Sequence, residues 1–411
     1  MTSHIEGKHS VFQHFPLPEP DGILQLTQDF KADPRQGKID LGVGVYRDAQ
    51  GRTPIMASVQ AAEARLAAER DSKAYLGLLG DVAFSTCVSR LVLGDLSDAL
   101  DGDGRLARIQ TPGGSGALRL GFELIKRARP DCTIWVPGPT WPNHVPVLTQ
   151  SGLTHKTYPY YDAKTGSVDT AAMMAALAQI PAGDVILLHG CCHNPTGADL
   201  GPEHWADVAA LLAERGIVPF VDMAYQGFGD GLEEDAHGVR AIFSKMPEAL
   251  LSYSCSKNFG IYNERTGVLL VSSESGDTSL RTLGQMKALA RVNHSMPPDH
   301  GAAIVATILQ DEDLRANWLD ELNGARNRVT GLRRSLSQAF REAGHGTRFD
   351  HLEKCRGMFS ILGLSAEDVA TLRREHAIFM PASSRVNVAG LQQEHIPALV
   401  QAVTRTLEDA S

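Results

Sequence analysis

The alternation of short apolar runs with amphipathic segments in the middle of the chain constrains the fold most strongly. The runs have the length of β-strands and are found at 133–136, 184–188, 217–221, 250–253 and 267–271. Between them, 117–128 and 203–215 place apolar residues at helical spacing. Strands that alternate with helices predict a mainly parallel sheet with helices on both faces.

The two ends of the chain have a different pattern. A long helical stretch at 313–342 is followed by 357–363 and 385–390, and the segment before Pro54 is rich in loops. A chain of 411 residues exceeds the usual size of one core. We therefore expect a large domain at 55–317 and a smaller α+β domain formed by 1–54 and 318–411.

Composition disfavours several partners. The net charge is −9, which argues against nucleic acid and anionic membranes. No apolar run approaches the roughly 20 residues that a membrane span needs, and the first 15 residues have no signal-peptide core. The six cysteines form no CxxC pair, so we expect reduced thiols, a cytoplasmic location and no metal site.

In an open parallel sheet, ligands bind beyond the carboxyl ends of the strands. Polar or small residues follow the predicted strands at these places: Gly113 to Gly116, Trp141, Asn194, Asp222 with Tyr225, and Ser254 with Lys257. Glycines before a helix favour phosphate, because backbone amides can approach it closely. The dinucleotide and P-loop fingerprints are both missing, which disfavours a nicotinamide oxidoreductase.

Two charged residues stand out at these strand ends. Lys257 follows an apolar run, and desolvation there would lower its pKa and make it nucleophilic. Asp222 ends another apolar run and needs a partner if it is buried. Taken singly, an exposed loop lysine and a helix-capping acid remain the simpler interpretations.

The segment from Ser254 to Gly267 reads Ser-x-Ser-Lys-Asn-Phe-Gly-x-Tyr-Asn-Glu-Arg-x-Gly. It resembles the cofactor-lysine motif of the aspartate aminotransferase family, which includes the aromatic amino-acid aminotransferases. Five further segments match that family in order: 41–46, 139–144, 189–197, 222–228 and 384–390. The resemblance runs from about Pro18 to the C-terminus. It implies a seven-stranded, mainly parallel sheet, pyridoxal 5'-phosphate as cofactor, and cis bonds at Gly138–Pro139 and Asn194–Pro195.

The resemblance also implies catalytic roles. Lys257 would hold the cofactor aldehyde covalently and then move protons at the substrate. Asp222 would pair with the pyridine nitrogen, while Tyr225 and Asn194 would bind the phenolic oxygen. Trp141 would stack on the ring. Two histidines, His144 and His189, would stand behind the carboxylate, although either could be a plain core histidine.

Further contacts are implied for phosphate and substrate. The phosphate would be bound by Gly114, Ser115, Ser254, Arg265 and a neighbouring subunit's Tyr75. Arg385 would clamp the substrate α-carboxylate beside Asn194, Trp141 and Gly44. Arg291 of a partner copy would bind a distal carboxylate, so the resemblance implies a homodimer with shared sites. A surface arginine and a core tyrosine are the simpler alternatives.

The pocket residues combine two specificities. His294, Met296, Ala74 and Ser115 depart from the aspartate-specific pattern, whereas Val45 and Thr53 keep it. We therefore expect a ping-pong aminotransferase for aromatic amino acids, aspartate or both, with 2-oxoglutarate as acceptor. The alternatives are a strictly aspartate-specific enzyme and a β-lyase or decarboxylase. A non-catalytic regulator is disfavoured because too few residues remain for a DNA-binding module.

Overall fold

The structure is a computed structural model that describes residues 12, 15–17 and 22–409. The remaining parts of the predicted small domain, at 1–11, 13–14, 18–21 and 410–411, lie outside the described residues.

The helices range from a four-residue segment to one helix of 29 residues, Glu312–Phe340. In chain order, α1 to α15 are Gly22–Ala32, Ala57–Glu69, Val82–Leu93, Asp95–Gly102, Gly113–Ala128, His144–Gln150, Thr170–Leu177, Pro202–Arg215, Leu232–Lys245, Gly276–Asn293, His300–Gln310, Glu312–Phe340, His351–Lys354, Ala366–His376 and Ile396–Asp409.

The strands form one large sheet and three two-stranded ones. In chain order, β1 to β13 are Ile39–Asp40, Leu106–Pro112, Thr133–Gly138, Thr154–Pro159, Tyr161–Asp162, Ser167–Val168, Val185–His189, Val218–Met223, Ala249–Ser254, Thr266–Ser272, Phe359–Ile361, Ile378–Phe379 and Arg385–Asn387.

The large sheet has seven strands in the order β2-β10-β9-β8-β7-β3-β4. Its strands are parallel except β10, which runs antiparallel to β2 and β9. The predicted fold class is thereby confirmed. All five predicted strands are present with shifted ends, whereas β2 and β4 were not predicted. The predicted helix at 313–342 ends at Phe340, where a π-helical turn takes over.

Helices cover both faces of the large sheet, because its central strands are buried on both sides. Every residue of β9 and β10 is buried, which requires cover on both faces. Helix α5 covers one face, where Phe122 meets Phe220 edge-on at 5.2 Å between ring centroids. Helices α8 and α9 pack on each other across the other face, with Trp205 and Val239 in the core.

The two ends of the described chain meet away from the large sheet. Strand β1 pairs in parallel with β12, so that Ile39 lies opposite Ile378. Strand β11 pairs with β13, and α12, α14 and α15 pack around them. Among the helices of the described ranges, none combines the length and the apolar character needed to cross a bilayer.

Candidate active site

The carboxyl ends of the parallel strands surround one cavity. Its lining includes nine of the residues predicted from the sequence, namely Gly114, Ser115, Trp141, Asn194, Asp222, Tyr225, Ser254, Lys257 and Arg265. They come from five separate segments of the chain, and the sheet edge alone brings them together. The structure thus brings these nine residues together around one cavity, while their chemical roles remain predictions.

A cradle suited to an anion forms one end of the cavity. Gly113 begins α5 with a φ of 70°, and a Cβ there would lie 2.6 Å from Nη2 of Arg265. A Cβ on Gly114 would lie 3.0 Å from Cβ of Ser254. Helix-terminal amides, a guanidinium and a hydroxyl thus meet where side chains are absent. This combination is suited to a phosphate group.

Lys257 lies on the cavity floor with its Nζ 5.1 Å from the centroid of the Tyr225 ring. Burial lowers the pKa of Lys257 to about 8. The Asp222 carboxylate raises that pKa and Arg265 lowers it, so the two partly offset each other. A minor fraction of the amine, far larger than for an ordinary lysine, is therefore neutral near neutral pH, and the neutral amine is the form that attacks a carbonyl.

Asp222 is the second-last residue of β8, and a chain of hydrogen bonds holds its carboxylate. Its Oδ2 lies 3.0 Å from Nε2 of His144, whose Nδ1 is 2.7 Å from the Thr140 hydroxyl. That hydroxyl is also 3.1 Å from Nε2 of His189. Burial of His189 lowers its pKa to about 3, so this ring is neutral. A consistent assignment has His189 donating to Thr140, Thr140 to His144, and His144 to Asp222.

This arrangement keeps the carboxylate ionised. Burial pushes the pKa of Asp222 upward, but the hydrogen bond that His144 donates is the largest of the effects that outweigh burial and leave the pKa below its usual value. Asp222 therefore presents a negative charge to the cavity. Thr140 was missed at the sequence level, although its position four residues before His144 is a detectable signal.

Asn194 and Tyr225 face the same space from neighbouring loops. Both Asn194–Pro195 and Gly138–Pro139 are cis, as the resemblance implied. Asn194 is buried, and its Oδ1 has no hydrogen-bond partner in the described structure. Burial raises the pKa of Tyr225, so its phenol stays protonated and can donate a hydrogen bond. Trp141 meets His144 edge-on at 5.1 Å.

Arg385 and Gly44 lie beside the cavity and do not line it. The guanidinium of Arg385 donates to the Gly42 carbonyl at 2.6 Å and stacks 4.5 Å from the Phe359 ring, whereas its buried Nε has no partner in the described structure. Gly44 packs against the edge of the same ring. Phe359 in turn meets Tyr225 edge-on at 6.2 Å between centroids. The predicted clamp therefore adjoins the cavity through Phe359.

Arg333 supports this neighbourhood and was not predicted. It is 2% exposed, and its hydrogen bonds among the described residues go to carbonyls and a hydroxyl. Its Nη2 donates at 2.7 Å to the carbonyls of Gly357 and Phe359, and its Nη1 donates at 2.6 Å to the Ser360 hydroxyl. In the sequence, Arg333 looks like an ordinary charged residue on the exposed face of a helix. Its place on the buried stripe of α12 with Val329 is the signal that could have revealed it.

Two predicted residues lie apart from this cavity. Tyr75 is 92% exposed, and Arg291 is exposed with a hydrogen bond to the Ser295 hydroxyl at 2.9 Å. The backbone amide of Leu76 lies 3.0 Å from the Met296 sulfur, so the two segments adjoin each other. Within the described chain, neither residue contacts the cavity.

A mainly parallel sheet with a reactive lysine, a fixed carboxylate and an anion cradle at its carboxyl edge is the framework of an enzyme that acts on carbonyl and amino groups. Residues 36–403 match the family described as aminotransferase class I and II. The chain is 48% identical to the aromatic-amino-acid aminotransferase of Paracoccus denitrificans, over 93% of this chain and 96% of that protein. It is 43% identical to the aspartate aminotransferase of Escherichia coli, over 97% of this chain and 100% of that protein.

Solved structures agree with these relatives. The aromatic-amino-acid aminotransferase of Burkholderia pseudomallei, solved covalently bound to pyridoxal phosphate, superposes with a TM-score of 0.94 at 38% identity, covering 97% of this chain and 100% of that one. The chain belongs to the class I and II aminotransferase family. It is an aminotransferase of amino acids, which confirms the family and the reaction predicted from the sequence.

The reactivity of Lys257 should follow its lowered pKa. In protein stripped of bound carbonyl compounds, acetylation of Lys257 should rise with pH to a midpoint near 8. Asp222→Asn should lower this midpoint because a charge that stabilises the ammonium is lost, whereas Arg265→Met should raise it. Competitive acetic anhydride labelling with peptide mass spectrometry measures all three midpoints. A midpoint near the usual 10.5 would contradict the proposed environment.

Removal of Arg333 should destabilise the fold and weaken carboxylate binding. Arg333→Met leaves the carbonyls of Gly357 and Phe359 without their donor. Hydrogen bonds to a charged group contribute about 1.5–3 kcal/mol each, so we expect a loss of at least about 3 kcal/mol in urea unfolding. The KM for amino acids should rise, because Phe359 supports Arg385. The matched control, Arg334→Met, removes an exposed neighbour and should change neither quantity appreciably.

Proposed function

We propose that this enzyme uses pyridoxal 5'-phosphate to move an amino group from an aromatic or dicarboxylic L-amino acid to 2-oxoglutarate. The observation that carries the proposal is the placement of Lys257, Asp222 and the anion cradle around one cavity. The names of the relatives, which cover aromatic, tyrosine and aspartate aminotransferases, support both substrate classes.

The residues present fit this cofactor. The space left by Gly113 and Gly114 beside Ser254 and Arg265 suits its phosphate. The unpartnered Oδ1 of Asn194 and the protonated phenol of Tyr225 offer polar contacts for its phenolic oxygen. When bound, pyridoxal phosphate supplies an aldehyde that takes up an amino group and a protonated ring that accepts electron density from the substrate α-carbon.

The proton transfers are assigned to Lys257. Its neutral Nζ is a base for the α-proton of the amino acid, and the resulting ammonium is an acid that returns the proton elsewhere on the bound substrate. A pKa of about 8 allows both protonation states near neutral pH. Asp222, kept ionised by His144, holds a proton on the ring nitrogen and thereby keeps the ring electron-poor.

Substrate binding is assigned to two arginines. Arg385, with its unpartnered Nε beside Phe359, would hold the α-carboxylate together with Asn194, Trp141 and the backbone at Gly44. Arg291 would bind a distal carboxylate in a partner copy, where Tyr75 would also reach the phosphate. The exposure of both residues supports a homodimer with shared sites. So do the exposed apolar side chains of Leu76 and Val292 next to them.

The chain organisation is proposed as predicted, with a large domain at 55–317 and a small one from 1–54 and 318–411. The pairing of β1 with β12, which joins the two chain ends, supports this division. All six cysteines are free, which supports a reducing compartment such as the cytoplasm.

Borohydride reduction tests the assignment of the lysine. It should fix the cofactor to one peptide, the one that contains Lys257. Lys257→Ala should give no fixed cofactor and should lose at least about 10²–10⁴-fold in single-turnover transamination, the usual contribution of a positioned acid–base group. Lys164→Ala, at an exposed lysine, is the control and should behave as the unaltered enzyme. Fixation to another lysine would overturn the proposed site.

Hybrid dimers test whether Arg291 acts in the partner's site. A doubly tagged hybrid of one Lys257→Ala and one Arg291→Ala subunit holds one complete site only if Arg291 acts across the dimer. It should then retain about half of the aspartate activity, as expected for a two-fold dimer. The Arg291→Ala homodimer should lose about 10²–10³-fold in kcat/KM for aspartate but far less for phenylalanine. Equal losses for both substrates would refute the distal-carboxylate role.

A further inference from the structure

A second cluster of reactive side chains lies behind the active-site cavity. The loop after β7 carries two adjacent cysteines, Cys191 and Cys192, and both are buried. Their sulfurs and a carboxylate oxygen of Asp235, on α9, all lie within 4.8 Å of one another. The sequence gives no metal motif here, because only the packing of α9 brings Asp235 to the cysteine pair.

Backbone hydrogen bonds fix the turn that holds the two thiols. Cys192 has a left-handed backbone with a φ of 52°. The Asp199 carboxylate accepts from the amides of Cys192 at 2.6 Å and His193 at 2.8 Å. A Cβ on Gly357 would lie 2.3 Å from Cβ of Cys192, so that side is tightly packed. The thiols are therefore held near each other by their loop, without a bond between them.

Asp235 retains binding capacity for a cation. Its Oδ2 accepts from the amides of Gly227 and Gly229, its Oδ1 accepts from the amide of Asp230, and the amide of Gly231 also stabilises the charged carboxylate. These amides orient the carboxylate. Among the described residues, Asp235 forms no ion pair, so no cationic side chain there competes with a bound cation.

A cavity of about 420 Å³ gives access to this cluster, and both Cys191 and Asp235 line it. Its lining carries three more carboxyl groups, on Asp199, Asp230 and Glu234. Together with Asp235, four carboxyl groups therefore line the cavity. Of these four, only Asp230 has an ion-pair partner in the described structure, Arg356 at 2.6 Å. Glu234 is exposed and marks the solvent side. An acidic cleft of this kind concentrates cations.

We propose that Cys191, Cys192 and Asp235 form a binding site for one thiophilic divalent cation of the zinc class, which enters through the acidic cavity. Zinc–sulfur bonds of about 2.3 Å in a tetrahedral site place two sulfurs about 3.8 Å apart. The ligand atoms of all three residues lie within 4.8 Å of one another, which is compatible with that spacing. Thiolates select such soft cations over magnesium or calcium.

Binding needs no oxidant or reductant. The cation forms two bonds to sulfur and one to oxygen, both thiol protons pass to the solvent, and a water can take the fourth position. The inference does not depend on the proposed transamination, since none of the three ligands takes part in it. Cys191 also lines the active-site cavity, so the two sites share a wall.

Cadmium titration of the holoenzyme tests the site, because cadmium–thiolate bonds give an ultraviolet charge-transfer band that carboxylates do not. In chelator-free buffer with a phosphine reductant, the enzyme should bind one Cd²⁺ with this band, and Zn²⁺ should displace it. The variant with Cys191→Ser and Cys192→Ser should lose the band. Each single variant should weaken binding by about 100-fold or more, since even indirect partners of a metal contribute 10–100-fold.

The matched control carries Cys87→Ser and Cys132→Ser, which removes two thiols outside the cluster and should leave the band unchanged. A parallel measurement needs no variant. Zn²⁺ should slow alkylation of Cys191 and Cys192 in the unaltered enzyme and leave Cys87 unaffected, as read by peptide mass spectrometry. Absence of a band in the unaltered enzyme, its persistence in the double variant, or unchanged alkylation of the pair with Zn²⁺ would each overturn the proposal.

Discussion

The antiparallel course of β10 between β2 and β9 is the constraint on which the site depends. The parallel strands end at one edge of the sheet, and β10 begins there, so Thr266 lies opposite Pro112 and Gly267 opposite Ser254. Arg265, directly before β10, is thereby set against Gly113 at the start of α5. A shift of one residue in this pairing would turn every side chain of the strand to the other face of the sheet and would separate Arg265 from Gly113. The register is secured by the fully buried faces of β9 and β10.

Three charged side chains, Lys257, Arg265 and Asp222, lie at this edge of the sheet and interact with one another. Arg265 and Asp222 act in opposite directions on the pKa of Lys257, and burial lowers that pKa to about 8. Asp222 can stay charged because His144 donates to it, and His144 can donate because Thr140 and His189 fix its tautomer. The net charge of −9 therefore says little about the cavity, where two cations meet one anion.

Local sequence predicted five strands of the large sheet to within one or two residues at each end, because apolar runs followed by polar residues are a property of neighbouring positions. Two strands escaped prediction for physical reasons. β4 lies at the sheet edge with only Tyr158 buried, and β2 carries Arg108 and Gln110.

Contacts between distant parts of the chain could not be predicted from local sequence either. Arg333 binds carbonyls of a distant loop, and Asp235 of α9 lies close to the cysteine pair. Tyr75 and Arg291 are exposed and contact none of the cavity residues within the described chain, so their roles stay predictions.

The positions of Asn194 and Arg385 are related through a junction of two loops. Gly197 has a φ of 70° and lies close to the start of β11. A Cβ on Gly197 would be 2.3 Å from the carbonyl oxygen of Phe359. Arg356 donates its amide to the Gly197 carbonyl at 2.7 Å, and Arg333 binds the Phe359 carbonyl from the other side. Phe359 then stacks on Arg385. Because this junction rests mainly on backbone carbonyls and amides, side chains elsewhere in the cavity can change while Arg385 keeps its place relative to Asn194.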